Sequence, residues 1–267
     1  MNRCAVIATH HKTGTKWMNS TFTAICRALD IPFVNADRDG IPRRDEAKPP
    51  YVLFSPHAKF GKSRWLLENP EHRVFHVIRD PRDVIISAMH YHRVSKEHWL
   101  HVAREEFGGR TYQQQLNSLP DDRQRYLFEM NRSAKTVIKA MRRWNYGRPT
   151  SIECKYEDLI VDTEMSLFTD VVRHLGFSDD ELERCREQFW RMSIFGDKAA
   201  RKGKVTHIRS GDAKQWQLVF DRGLALDFIE NFGTVLVRLG YETDHSWIDT
   251  LAQREIADDR SGAVAAP

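Results

Sequence analysis

A glycine flanked by basic residues near the N-terminus is the first place in the sequence that could do chemistry. The segment from Thr9 to Trp17, THHKTGTKW, follows a short apolar run and precedes a helical pattern. Backbone N–H groups and the positive end of a helix dipole meet at such a junction, so it favours an anionic ligand. Gly14 lets the main chain approach that ligand closely, and Thr15 can donate a hydrogen bond. Lys12 supplies positive charge.

Lys16 adds a second positive charge, yet this segment is not a Walker A loop. That motif needs a glycine five residues before its Gly-Lys-[Ser/Thr] triplet. Here Thr9 holds the earlier position and Gly14 is followed by Thr15. An ordinary strand-to-helix turn with solvated lysines is the alternative interpretation of the segment taken alone.

A second candidate anion site follows the apolar run 73–78. Arg79 comes directly after that run, Pro81 suits the first position of a helix, and Ser87 lies about two turns further along. Arg79 would then face an anion at the carboxyl edge of a sheet. Alternatively, Arg79 pairs with Asp83 and Ser87 faces solvent.

A candidate general base, His57, follows the apolar run 51–55. Histidine titrates near neutral pH, which suits proton abstraction from a hydroxyl group. His10 and His11 are competing candidates because they precede Lys12 directly. Carboxylates occur at Asp80, Asp83, Glu157 and Asp158, but they form no spaced cluster with histidines, so we expect no bound metal.

The predicted elements that position these residues indicate an α/β fold with a central parallel sheet flanked by helices. Apolar runs predict strands at 4–9, 51–55, 73–78 and 151–156. Helical patterns cover 15–29, 163–175, 179–190 and 223–239. Residues 84–146 are almost continuously helical in pattern, with breaks near Gly108-Gly109 and Leu119-Pro120, and we interpret about 92–148 as a helical insertion. Residues 196–215 are predicted to be a loop.

Four segments, in the same order along the chain, together resemble the family of sulfotransferases that use 3′-phosphoadenosine 5′-phosphosulfate (PAPS). The segment Lys12-Thr13-Gly14-Thr15-Lys16-Trp17 is similar to the family's Lys-x-Gly-Thr-Thr-Trp loop. The resemblance implies that Lys12 contacts the bridging oxygen and the leaving phosphate. Thr15 and Lys16 would bind the 5′-phosphate, and Trp17 would border the adenine. Lys16 departs from the pattern, since it replaces the family's second threonine.

The second motif, Arg-x-x-x-Asp-x-x-x-Ser, is similar to the family's signature for the 3′-phosphate. Arg79 and Ser87 would be the ligands. The segment that begins at Tyr156 resembles the family's Tyr-Glu-Asp-Leu, whose tyrosine lies near the adenine. Arg209-Ser210-Gly211 resembles its Arg-Lys-Gly loop, which closes over the 3′-phosphate. Ser210 stands where many members have lysine, so Arg209 and the Gly211 backbone would carry that contact.

The resemblance implies a P-loop-like sulfotransferase fold and a PAPS-dependent, metal-independent transfer of a sulfuryl group to a hydroxyl. Lys12 and His57 would be catalytic, although His57 matches the family's Lys-Thr-His segment only in its histidine. Adenosine 3′,5′-bisphosphate (PAP) would be the product. A small-molecule or glycan alcohol is the expected acceptor, and a homodimer is compatible with the sequence. A P-loop nucleotide kinase and a non-catalytic protein that binds adenosine phosphates or anionic glycans are the alternatives.

Bulk properties set the remaining limits. The 267 residues, 41% of them hydrophobic, suit one large domain, which we place at 1–252, followed by a flexible tail at 253–267. The formal charge of +4 is too small to indicate nucleic acid as a partner. Four widely spaced cysteines favour a reducing compartment, and no run is long enough to be a membrane span or a signal peptide. We therefore expect a cytoplasmic protein.

Overall fold

The structure is a computed structural model that describes residues 4–45, 47–194, 196 and 213–251. These residues belong to two compact units. The first, here called the sheet unit, contains the described residues within 4–79 and 144–196. The second, the helical unit, contains those within 80–143 and 213–251. The predicted tail lies outside the described residues, as does most of the predicted loop at 196–215, and the single-domain boundary stays a prediction.

Five parallel strands form the sheet. They are β1 (Cys4–Ala8), β2 (Phe33–Asn35), β3 (Tyr51–Ser55), β4 (Arg73–Ile78) and β5 (Ser151–Lys155), in the order β2-β3-β1-β4-β5. The central strand, β1, places Ala8 opposite both Ser55 and His76. The predicted parallel sheet is confirmed, and its strands are apolar runs because helices cover both faces of such a sheet.

The helices complete the chain. In chain order they are α1 (Thr15–Leu29), α2 (Ala36–Asp39), α3 (Trp65–Glu68), α4 (Pro81–His92), α5 (Tyr112–Asn117), α6 (Asp122–Asn131), α7 (Ser133–Arg143), α8 (Tyr156–Leu159), α9 (Ser166–His174), α10 (Asp179–Met192), α11 (Arg222–Phe232) and α12 (Val235–Arg238). Short 3₁₀ helices lie at Gly61–Ser63, His98–His101, Glu105–Phe107 and Gln215–Leu218.

Alternation along the strands divides the core of the sheet unit into two layers. Ala5 and Ile7 of β1 pack in the layer that also contains Phe22 of α1 and the side chains of α9 and α10. Val6 and Ala8 face the other layer, which contains α3 and Trp144. Both layers are fully buried along β1. Burying one such large apolar side chain contributes roughly 1.5–3 kcal/mol, so these layers fix the sheet edge on which the candidate site lies.

The helical unit begins with α4, whose first turn is well specified by the sequence. Asp80 is the N-cap, and its side chain accepts a hydrogen bond from the backbone N–H of Arg82. Pro81 occupies the first helical position, where a missing N–H does no harm. The predicted breaks at Gly108 and near Pro120 both occur, since Gly108 adopts a φ of +61° and a new N-cap forms at Asp121.

Several elements differ from the sequence prediction. The prediction missed β2 and α2, because a three-residue, half-buried edge strand gives little hydrophobic signal. Tyr156 begins α8 instead of ending β5. The helix predicted at 223–239 is divided into α11 and α12, because Gly233 adopts a φ of +55°.

Two observations bear on the expected environment of the protein. In the part of the chain that the structure describes, no helix is both long and apolar enough to cross a membrane. All four cysteines are free and buried, and burial raises the pKa of each thiol to about 12.

Candidate active site

The candidate residues of the sheet unit lie at the carboxyl edge of the sheet. Parallel strands end at one edge, and α/β proteins bind their ligands there. The glycine-containing loop follows β1, His57 follows β3, Arg79 follows β4, and Tyr156 follows β5. The backbone N–H of Thr9 donates to the Ser55 carbonyl (3.0 Å), which carries the β1–β3 pairing into the loop.

The loop after β1 is organised around the main chain of His10. The His10 N–H donates to the Thr13 hydroxyl oxygen (2.9 Å). Its carbonyl accepts from the Thr13 hydroxyl (2.9 Å), from the Thr13 N–H (3.0 Å) and from the Thr15 hydroxyl (2.6 Å). The Thr9 hydroxyl donates to the Thr15 hydroxyl oxygen (3.1 Å). The hydroxyl groups of Thr13 and Thr15 therefore shape the loop, and their contact with a ligand stays a prediction.

Two residues of the loop adopt left-handed backbone conformations. Lys12 has a φ of +70° and Gly14 a φ of +91°. The lysine conformation costs about 1–2 kcal/mol, which surrounding contacts must offset. One such contact is the Arg79 guanidinium, which donates to the Lys12 carbonyl (3.3 Å). Lys16 is the exposed second residue of α1.

Aromatic side chains enclose Gly14. A Cβ atom at this position would lie 3.0 Å from Cδ2 of Tyr156, so only glycine fits without displacing that ring. The Trp17 ring meets Tyr156 edge-on, with 6.2 Å between centroids, and the Arg79 guanidinium lies 4.6 Å from the centroid of Tyr156. Four of the predicted binding residues, Gly14, Trp17, Arg79 and Tyr156, therefore form one cluster. Its geometry requires glycine at position 14.

His57 is partly exposed, and its Nε2 lies 3.1 Å from Oδ2 of Asp37 in α2. Asn35 caps α2, because its side chain accepts from the backbone N–H groups of Asp37 and Arg38. The carboxylate of Asp37 therefore stands on a defined element beside the predicted base. The carbonyl oxygen of Pro56 lies 3.4 Å from the Thr9 hydroxyl as an alternative acceptor, which brings the loop next to the residue before His57.

His10 is poorly suited to act as a base. Its side chain is 2% exposed, and its Nε2 lies 2.9 Å from Nε2 of His76. Burial lowers the pKa of His10 to about 3, and the nearby charge of His57 adds to the effect. Between these histidines, the exposed His57 fits the base role better.

The comparisons with known proteins place this geometry in a family. The model of the sulfotransferase domain matches residues 3–240, nearly the whole chain. The chain belongs to this sulfotransferase family.

A solved structure of another sulfotransferase shares the fold. The crystal structure of mouse sulfotransferase SULT7A1 complexed with PAP has a TM-score of 0.57 and 13% identity, over 88% of this chain and 84% of that one. Retinol dehydratase in complex with androsterone and inactive cofactor PAP has a TM-score of 0.45 and 16% identity, over 87% and 80% of the two chains. The predicted sulfotransferase-like fold is confirmed, and so is the predicted family.

The second motif of this sulfotransferase is divided between the two units. Arg79 is the last residue of the first segment of the sheet unit, whereas Asp83 and Ser87 lie on α4 in the helical unit. Asp83 is buried, and one of its carboxylate oxygens accepts from the backbone N–H of Trp216 (2.9 Å). Asp83 therefore has a structural contact of its own. The contact of Ser87 with a 3′-phosphate stays a prediction.

Arg82 is a buried cation that the sequence analysis did not single out. Its guanidinium forms two hydrogen bonds to Asp80 (3.0 and 2.7 Å), an ion pair with Glu242 (2.6 Å) and a cation–π contact with Trp216, at 3.5 Å from the ring centroid. These contacts fix Trp216 in the helical unit. The predicted loop residues Arg209, Ser210 and Gly211 lie outside the described residues.

The sequence analysis also missed Asp37. The available signal was Asn35, a strong N-cap residue, followed by Asp37 two residues later at the end of a short apolar segment. Within the described ranges, no group of three or more His, Cys, Asp or Glu side chains is arranged to hold a metal ion.

Proposed function

We propose that this sulfotransferase transfers the sulfuryl group of PAPS to an alcohol, with His57 as the general base and Lys12 as the cation at the leaving group. The observation that carries the proposal is the cluster of Gly14, Tyr156 and Arg79 around the loop of Lys12. A left-handed glycine at the start of α1 leaves the N–H groups of the first turn for an anion.

The residue types at the loop fit an adenosine phosphosulfate. Backbone N–H groups, Lys12 and Lys16 suit its anionic groups, and the aromatic rings of Trp17 and Tyr156 suit a planar adenine. Arg79 is the proposed ligand of the 3′-phosphate, because a guanidinium matches a phosphate in charge and geometry.

In the proposed reaction, the acceptor oxygen forms a bond to sulfur while the bond between sulfur and the bridging phosphate oxygen breaks. The hydroxyl proton of the acceptor moves to His57, and the bonding electrons move to the bridging oxygen of PAP. Lys12 stabilises the negative charge that develops on this oxygen, which lowers the barrier more than it stabilises the ground state.

Asp37 has a supporting role in this proposal. A carboxylate hydrogen-bonded to one nitrogen of an imidazole fixes its orientation and stabilises the imidazolium that forms when the base accepts a proton. With Nε2 of His57 directed at Asp37, Nδ1 is the nitrogen that would take the proton of the acceptor.

Lys12 and Lys16 would supply positive charge at the leaving group, so we expect turnover to need no divalent metal. Treatment with EDTA should leave the rate unchanged. A rate that falls with EDTA and recovers with Mg²⁺ would show that the chemistry is misassigned.

Comparing two nucleotides by calorimetry tests the donor. We expect PAP to bind at least tenfold more tightly than adenosine 5′-phosphate, because one charge-assisted contact from Arg79 contributes roughly 1.5–3 kcal/mol before screening. Equal affinities would contradict the assignment of Arg79 and favour a nucleotide kinase. A labelled PAPS screen against small-molecule and glycan alcohols then tests transfer itself, and binding without turnover on any acceptor would favour a non-catalytic binding protein.

We also propose a cytoplasmic location, which the four free, buried cysteines support, since exported proteins commonly oxidise their cysteines in pairs.

A further inference from the structure

A pair of buried histidines lies directly beneath the loop that carries Lys12. His10 follows β1, and His76 is in β4, the strand paired with β1. Their Nε2 atoms are 2.9 Å apart, and the two rings meet edge-on with 5.1 Å between centroids. His10 is 2% exposed and His76 is fully buried. Neither ring is in a position to act on an acceptor, so the proposed reaction leaves this pair without a role.

The distance requires at least one ring of the pair to be neutral. An imidazole donates from one nitrogen and accepts at the other only when it is uncharged, whereas an imidazolium donates from both. A hydrogen bond between the two Nε2 atoms therefore needs one ring to donate and the other to accept. Burial favours the neutral form of both rings, because it lowers the pKa of both histidines.

His76 is held more rigidly than His10. Its ring stacks on Trp144, with 4.0 Å between centroids and 22° between planes, and it also contacts the ring of Tyr146. The main chain of His76 is in the middle of the sheet, between β1 and β5. The Nε2 atom of His76, which is held in the sheet, therefore forms its hydrogen bond with the loop residue His10.

The main chain of His10 controls the loop. Its carbonyl and N–H form four hydrogen bonds with Thr13 and Thr15, and Lys12 lies within the same turn in a strained left-handed conformation. A shift of the His10 Cα would move those bonds together. The position of the Lys12 backbone therefore depends on what holds the side chain of His10.

We propose that His76 is a positioning residue of this sulfotransferase: by holding the ring of His10, it keeps the Lys12 loop in the conformation that binds the donor phosphates. This inference depends on the proposed function, because it assumes that the loop binds PAP. His76 acts through His10 and touches no substrate.

The test measures PAP affinity by calorimetry in His76→Phe, which keeps the stacking on Trp144 and removes the hydrogen bond. We expect roughly tenfold weaker binding, since a lost bond leaves the buried Nε2 of His10 without its partner. His76→Gln, whose amide can still meet that nitrogen, should recover most of the affinity. At saturating donor, kcat should change less than KM for the donor.

His72→Phe is the matched control. His72 is also buried, bonds the Leu66 carbonyl (2.9 Å) and packs edge-on against Trp65, but it precedes the opposite end of β4. The His72→Phe variant should have a lower melting temperature but the same PAP affinity as the wild type. Melting temperatures of both variants separate a general loss of stability from a displaced loop.

The outcomes distinguish this inference from the proposed function. Failure of the wild-type protein to bind PAP would contradict the proposed function. Binding by the wild type with unchanged affinity in His76→Phe would overturn the positioning role. If His76→Phe does not fold, His10→Ala, His76→Leu and their combination form a double-mutant cycle. Additive losses of PAP affinity in that cycle would likewise overturn the role, whereas strong coupling supports it.

Discussion

At the scale of single residues, the proposed chemistry separates into two groups with different expected effects. Lys12 would act on the phosphosulfate both before and during transfer, whereas His57 would act only on the acceptor. His57→Ala should lower kcat by roughly 10²–10⁴-fold and leave PAP affinity nearly intact. Lys12→Ala should lower both. PAP titration with single-turnover rates for both variants checks this, and full turnover in His57→Ala would contradict it.

Asp37 provides a second residue-level prediction, because the carboxylate beside His57 either orients the base or is itself the base. Asp37→Asn keeps the shape of the side chain and removes its charge. We expect a smaller loss of kcat than in His57→Ala, with the pH–rate profile displaced because imidazolium formation is no longer stabilised. A loss larger than that of His57→Ala would identify Asp37 as the base.

Gly14 offers a test of the loop conformation with a matched control. An alanine at Gly14 would be strained at a φ of +91° and would press against Tyr156, 3.0 Å away. Gly108 is also left-handed, but a Cβ there meets nothing within 4 Å. Both alanine variants should lose about 1–2 kcal/mol of stability from backbone strain, and only Gly14→Ala should also lose PAP affinity. Equal PAP affinities in the two variants would contradict the proposed loop site.

At the scale of elements, α4 is held at its N-terminus by contacts that have little to do with a ligand. Asp80 caps the helix, Arg82 lies over the ring of Trp216, and Asp83 accepts from the Trp216 N–H. Asp83 is therefore an anchor for the segment Gln215–Leu218. The motif Arg-x-x-x-Asp-x-x-x-Ser therefore combines two proposed ligands, Arg79 and Ser87, with the structural residue Asp83.

Substitutions of Asp83 test the anchoring role. Asp83→Ala removes the acceptor and leaves a buried N–H unpaired, which should lower the free energy of unfolding by roughly 1–3 kcal/mol. Asp83→Asn retains an acceptor oxygen and should lose less. Urea unfolding of both variants measures the difference. Equal losses would show that the charge of Asp83, and not its hydrogen bond to Trp216, stabilises the helical unit.

Most elements of the sheet unit could be predicted, because buried parallel strands are continuous apolar runs that end in polar residues. Glycine and proline also predicted the helix breaks at Gly108 and near Pro120, because their effect on the backbone is local. Arg82 and His76 could not be found in this way. Their roles depend on partners far along the chain, His10 for His76 and Glu242 for Arg82, and no local pattern reports such pairs.

The same distinction applies within the loop. Its anion-binding character follows from local residue types, so it was predictable from Lys12, Gly14 and the helix that follows. The use of the Thr13 and Thr15 hydroxyls within the loop was not predictable, because a threonine near a helix start bonds the backbone or a ligand with equal chemical ease.

At the scale of the whole molecule, buried histidines link folding to pH. The unfolded chain takes up protons on histidine near an ordinary pKa of 6.5, whereas His10 in the folded protein has a pKa of about 3. Below pH 6.5 the unfolded state therefore binds more protons, and stability falls as the pH decreases towards 3. His76, and to a smaller extent His72 and His174, have pKa values lowered in the same direction.

Urea unfolding at pH 7.5 and pH 5.0 checks this expectation in the wild type and in His76→Phe. Arg148 beside His76 carries a positive charge that also opposes protonation of the pair, and His57 beside His10 does so when it is protonated. Each buried neutral histidine contributes a slope of up to about 1.4 kcal/mol per pH unit below 6.5. His76→Phe removes one such group, so its stability should fall less steeply with acid than that of the wild type, at an unchanged denaturant m-value. Parallel slopes in the two proteins would mean that His76 is already protonated in the folded state, and the neutral histidine pair beneath the loop would then be wrong.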